Sequence, residues 1–173
     1  MRREIKVCKF GGTSMADGNV MLAAKSIVEA EDARAYVVVS APGKRFGGDI
    51  KVTDILYACA DCLETNDLQG FEDNFRIVCN RFKGIEKETG VEVGVEALLD
   101  GIRTELLGGA GRDYCASRGE YLTAKIMAKL LNVPFIDATE FIRFKEDGTL
   151  DKNTYQLATA KLMRHKRAVI PGF

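Results

Sequence analysis

Apolar residues run together at two places near the start of the chain and recur at helical spacing through most of the remainder. Ile5, Val7 and Phe10 mark a strand over about 4–10. Tyr36-Val37-Val38-Val39 is a continuous apolar run, which suits a strand over about 35–41 buried on both faces of a parallel sheet. Between them Val20, Ala24, Ile27 and Val28 share one helical face, so this stretch predicts a βαβ unit with a right-handed crossover. Further strands are predicted at about 133–137, 141–144 and 167–171, the last led in by a helix near 153–165.

The middle of the chain carries only the helical period. Ile55, Cys59 and Leu63 form one stripe, Phe71, Phe75, Val78, Phe82 and Ile85 a second, and Val95, Leu98, Ile102 and Leu106 a third. The pattern predicts a helical excursion at about 53–107, lying beside the sheet as a lobe or subunit contact. Phe71, Phe75 and Phe82 read as core rather than as a ligand box. Gly108 to Gly111 reads as a flexible turn, followed by a helix opening at Ser117, where Ser117-x-x-Glu120 has the spacing of a capping box. Strands interleaved with helices in this way define an α/β fold.

Composition narrows the function classes. With 173 residues, 46% hydrophobic and 29% charged, the chain suits one soluble domain. Lys+Arg and Asp+Glu are both 25, and this balance argues against nucleic acid as a partner. The basic cluster Lys161, Arg164, His165, Lys166 and Arg167 reads as the last turn of a helix, where cations complement the dipole. Arg2 and Arg3 precede no signal-type apolar segment, and no run reaches the ~18 apolar residues of a membrane helix, so the expectation is a cytoplasmic protein with no membrane partner. Five cysteines at scattered spacing suit a reducing compartment. Cys59-x-x-Cys62 lies on an apolar stripe without a second Cys or His pair, so no metal site is expected.

One segment invites chemistry. Lys9-Phe10-Gly11-Gly12-Thr13-Ser14 follows the first strand, where two glycines let backbone amides approach an anion and a following helix would add its positive end. A tight strand-to-helix turn explains the same glycines, and neither G-x-G-x-x-G nor G-x-x-x-x-G-K-[ST] is matched. Thr53, followed by Asp54, has a comparable structural explanation as a helix N-cap.

Lys9 to Ser14, then Val37-Val38-Val39-Ser40-Ala41-Pro42-Gly43, then Ser117-Arg118-Gly119-Glu120, taken in that order, resemble the aspartokinases of the amino acid kinase superfamily, from about Ile5 to Phe173. The resemblance implies a three-layer sandwich with a mainly parallel sheet. It also implies ATP, with Mg2+ bound through its phosphates, and L-aspartate, whose β-carboxylate is phosphorylated in the first step of lysine, threonine and methionine synthesis. In those terms Lys9, the catalytic candidate, sits with Gly11, Gly12 and Ser14 against the nucleotide phosphates. Ser40, Thr53, Glu120 and Phe173 would line the aspartate, Glu120 facing its amino group. The loop Gly43 to Val52 is longer than in some members, which bears on the placing of Thr53.

The Arg-Gly-Gly-Ser-Asp segment of the family does not occur in these residues. Residues 1–173 are therefore expected to be the N-terminal, substrate-side part of a kinase domain, without the nucleotide half or the regulatory domains and inactive alone. The parent enzyme is expected to be a homo-oligomer. A binding or subunit-assembly segment, or another amino acid kinase acting on glutamate or a nucleotide, are the alternative readings.

Overall fold

The computed structural model describes residues 4–173; the expectation drawn from Arg2 and Arg3 lies outside the described residues. Strands β1 (Lys6–Phe10), β2 (Arg34–Val39) and β3 (Ala168–Pro171) form a parallel sheet in the order β1-β2-β3. Cys8 lies opposite Val37, and Val37 opposite Val169. The continuous apolar run at β2 is explained by this central place, because each face of the strand is packed. Ala35, Val37 and Val39 lie fully under helices, whereas Tyr36 and Val38 are half-buried in the second core.

Six helices follow the expected order: α1 (Gly18–Glu29), α2 (Val52–Glu64), α3 (Leu68–Thr89), α4 (Val95–Leu107), α5 (Arg112–Leu131) and α6 (Asn153–Leu162). Met21, Leu56, Phe71, Phe82, Leu99 and Leu122 are fully buried in one core that joins α1 to α5 and reaches Val37, Val39 and Val169 of the sheet. A smaller core on the opposite face joins Ile136, Ala138, Phe141, Ala168 and Ile170 to Tyr36, Val38 and, on α6, Ala158 and Leu162. The result is three layers, with α2 to α4 as the helical excursion over 52–107. Phe71 and Phe75 stack at 5.5 Å, as core aromatics do.

Several expectations need correction. At 133–137 there is no full strand, only a bridge between Phe135 and Val169, because Pro134 has no amide to donate and Asp137 turns the chain by accepting from the Thr139 amide at 3.0 Å. Over 141–144 the chain instead forms one side of a small turn, closed by a bridge from Phe144 to Leu150. The helix of 153–165 stops at Leu162, so of the basic cluster only Lys161 is in the last turn, where it pairs with Glu140. Ser117 does not open a helix. It lies well inside α5, whose N-cap is Gly111, and its hydroxyl donates to the Tyr114 carbonyl at 2.8 Å. On α1 the buried face is Met21, Ala24 and Val28, and Ile27 is exposed.

Candidate active site

The carboxyl ends of β1 and β2 lie side by side, and the loops that leave them are joined by backbone hydrogen bonds. The Ser40 amide donates to the Phe10 carbonyl at 3.1 Å, and the Gly43 amide to the Gly12 carbonyl at 2.8 Å. Glycine is required there on steric grounds: a Cβ at Gly43 would sit 2.6 Å from the Gly12 carbonyl carbon. Lys9 Nζ donates to Ser40 Oγ at 2.9 Å, so the first motif and the end of the second strand meet through their side chains. The glycine loop enters a 3₁₀ turn at Gly12–Met15 rather than α1. The N-terminus of α1 is satisfied separately by Asp17, which accepts from the Val20 amide at 3.0 Å. The helix that opens toward the loops is α2, whose Val52 amide donates to the Pro42 carbonyl at 3.0 Å. Lys51 is its N-cap residue, so Thr53 stands within the first turn.

Helix α5 supplies the carboxylate. At Gly119 a Cβ would meet the Ala41 methyl at 2.6 Å, so only glycine lets α5 lie against the loop after β2. The next residue, Glu120, is 7% exposed, and its Oε2 has no hydrogen-bond partner among the described residues. Burial pushes the Glu120 carboxyl above the usual range, opposed by a hydrogen bond from the Ala41 backbone and by the charge of Lys9.

These groups surround a cavity of about 370 Å³ lined by Gly12, Thr13, Ser40, Thr53 and Glu120, with Lys44 and Lys51 also on its wall. Four expected site residues, Gly12, Ser40, Thr53 and Glu120, therefore share one cavity, with Lys9 bonded to one of them. Gly11 and Ser14 are exposed in the adjoining turn. Phe173 is not brought to this cavity. It is 51% exposed and lines a separate apolar hollow of about 980 Å³ on the second face of the sheet, with Tyr36, Val38, Phe141, Phe144 and Ile170. Chemically, the smaller cavity offers a buried carboxylate with one bare oxygen, the hydroxyls of Thr13, Ser40 and Thr53, and cations, a set suited to a ligand carrying both an ammonium and anionic oxygens.

A buried ion pair holds the loops, and sequence reasoning missed it. Arg81 on α3 donates to Asp49 Oδ2 at 2.7 Å and to the carbonyls of Gly43 at 3.0 Å, Ala16 at 3.3 Å and Ile50 at 3.4 Å. Arg45 adds two contacts to Asp49 at 2.8 and 3.0 Å, and its side chain, with backbone amides, holds the Asp49 carboxyl well below the usual range. The available signal was Arg81 itself, a cation within the apolar stripe of Val78, Phe82 and Ile85 that needed a partner once buried.

The Amino acid kinase family profile matches residues 4–173, and the chain belongs to that family. It is 32% identical, over 98% of its length, to Aspartokinase 3 of Bacillus subtilis (strain 168). The crystal structure of Clostridium acetobutylicum aspartate kinase superposes with a TM-score of 0.94 at 40% identity over 98% of this chain. Escherichia coli aspartokinase III in complex with aspartate and ADP shares the fold, with a TM-score of 0.76 at 24% identity over 96% of this chain. The chain spans about 40% of the length of the relatives it matches, 40% of the Bacillus protein and 39% of the Clostridium one.

Proposed function

We propose that residues 1–173 are the amino-acid-binding part of an aspartate kinase, the whole enzyme transferring the γ-phosphoryl group of ATP to the β-carboxylate of L-aspartate. The observation that carries this reading is Glu120, a carboxylate buried without a partner for Oε2 in a cavity it shares with Ser40 and Thr53. A protein keeps such a group at a cost in stability when a ligand completes it, and the ammonium of an amino acid is the matching charge. Similarity to aspartokinases, one of them solved with aspartate and ADP, supports aspartate as that amino acid.

In this reading Lys9 neutralises charge as two anions approach, the main difficulty in moving a phosphoryl group onto a carboxylate. Ser40 orients Lys9 through its 2.9 Å contact, and the exposed Gly11 to Ser14 turn faces the phosphates. Among the described residues no three His, Cys, Asp or Glu side chains cluster as a metal cage; in this reading magnesium is held by the nucleotide phosphates. The reading extends to the first step of lysine, threonine and methionine synthesis, to a homo-oligomer, and to the cytoplasm; among the described residues no helix is long and apolar enough to cross a membrane. The nucleotide half and the regulatory domains are assigned to the remainder of the whole enzyme.

Turnover tests this. A full-length protein carrying these residues is expected to form acyl phosphate from ATP and L-aspartate, with little product from L-glutamate or uridine monophosphate, and residues 1–173 alone are expected to form negligible product. Preference for glutamate or the nucleotide would overturn the aspartate assignment. Turnover by the 173-residue chain at confirmed mass would overturn its inactivity.

A further inference from the structure

Three lysines bear on the small cavity, and two of them are not explained by the structure around them. Lys9 is engaged with Ser40. Lys44 and Lys51 both line the cavity and are exposed, and neither side chain makes a hydrogen bond or ion pair among the described residues. Among the described residues, exposed lysines without a carboxylate partner occur elsewhere too, as at Lys87 and Lys152, so what sets Lys44 and Lys51 apart is their place on the cavity wall. The loop that carries Lys44 and Lys51 is held at both ends by Arg81, through the carbonyls of Gly43 and Ile50, so the two cations are placed by a buried anchor.

The cavity wall also includes the first turn of α2, a helix of 13 residues whose N-terminal end adds partial positive charge beside Thr53, with the Val52 amide already given to Pro42 and Asp54 in the same turn. Against this positive side stands Glu120, buried and with Oε2 bare. The site thus holds one carboxylate and three lysines. A neutral amino acid, with one ammonium and one carboxylate, leaves part of that positive charge unmatched. An acidic amino acid, with a second carboxylate, matches it better.

We infer that Lys44 and Lys51, with the first turn of α2, select an acidic amino acid by holding its second carboxylate, while Glu120 takes its ammonium. The inference rests on the proposed amino acid site and assigns two residues to its specificity.

Competitive acetylation of residues 1–173 with acetic anhydride, read by mass spectrometry, tests it alongside amide chemical shifts that report binding. L-aspartate is expected to slow acetylation of Lys44 and Lys51 severalfold and leave Lys25 unchanged, with L-asparagine protecting them much less. The Lys44→Met/Lys51→Met variant is expected to weaken aspartate binding roughly tenfold and asparagine binding little, the size of effect two screened charge contacts can give. Aspartate-induced shifts at Glu120 and Thr53 without protection of the two lysines would overturn the inference and leave the amino acid site standing. Protection by ADP in place of aspartate would overturn it in favour of a phosphate site. Absence of any aspartate-induced shift would overturn both the site and the inference drawn from it.

Discussion

Replacing Glu120 by glutamine is expected to stabilise the unliganded protein while removing its ligand charge. The carboxylate is 7% exposed and its Oε2 makes no hydrogen bond; an unpaired buried group costs about 1–3 kcal/mol and a charged one more, and it is this excess due to charge that glutamine, itself unpaired there, removes. Ala41 and Lys9 offset part of this, and glutamine keeps the shape of the side chain without the charge. A net gain of about 1–2 kcal/mol follows, or a rise in Tm of roughly 2–8 °C for a chain of this size. The pH dependence has a definite sign. Burial raises the folded pKa above the ordinary value of 4.5, so the stability gained on protonation is fully present below the unfolded value and lost as pH rises through the folded one. The advantage of the variant is therefore largest at neutral pH and shrinks as pH falls toward 4.5. Urea unfolding followed by circular dichroism at the two pH values measures it. A Glu120→Gln variant no more stable than the wild type at neutral pH, or a gap that does not change with pH, would refute the reasoning.

Other residues give independent outcomes. Arg81→Met removes the partner of a buried carboxylate and strips the Gly43 and Ala16 carbonyls, but Arg45 still holds Asp49; a loss of about 2–4 kcal/mol in urea unfolding is expected, and one below about 1 kcal/mol contradicts the anchoring role. Gly119→Ala gains about 1 kcal/mol of helix propensity but places a methyl 2.6 Å from that of Ala41, and overpacking of this kind costs about 1–3 kcal/mol. The variant is expected to be no more stable than the wild type and to shift the amide of Ala41 in its spectrum; a clear gain in stability with Ala41 unmoved counts against the tight contact. Burial pushes the Cys59 thiol up to about 12 and Cys115 up to about 11, so iodoacetamide at mildly alkaline pH is expected to label half-buried Cys8 in the folded protein and these two only after urea is added.

Much of the fold could be read from spacing because the signals were long. The aromatic stripe of α3 and the Tyr-Val-Val-Val run of β2 each fit one period and one degree of burial. Shorter signals misled for physical reasons. Ser117-x-x-Glu120 matched a capping box, yet serine and glutamate three residues apart also meet inside a helix, and Gly111 had already opened α5. Pro134 within an apolar run left too few amides for a strand, and Val169 pairs there through the Pro134 carbonyl and the Ile136 amide alone. The cavity was legible only through the motif resemblance, since Ser40, Thr53 and Glu120 are distant in the chain and meet because Gly43 and Gly119 permit close contacts. Lys44 and Lys51 escaped notice because a loop lysine has no period to mark it. Phe173, carried over from the resemblance, lines the apolar hollow instead.

An amino acid that binds in the cavity around Glu120 must perturb the amides that line it. Titration of L-aspartate into isotopically labelled residues 1–173, followed by amide chemical shifts, tests it most directly. Saturable shifts clustered at Gly12, Ser40, Gly43, Thr53 and Glu120 are expected, with their loss in the Glu120→Gln variant. Shifts clustered instead at Phe144, Ile170 and Phe173, or shifts that persist in the variant, would contradict it.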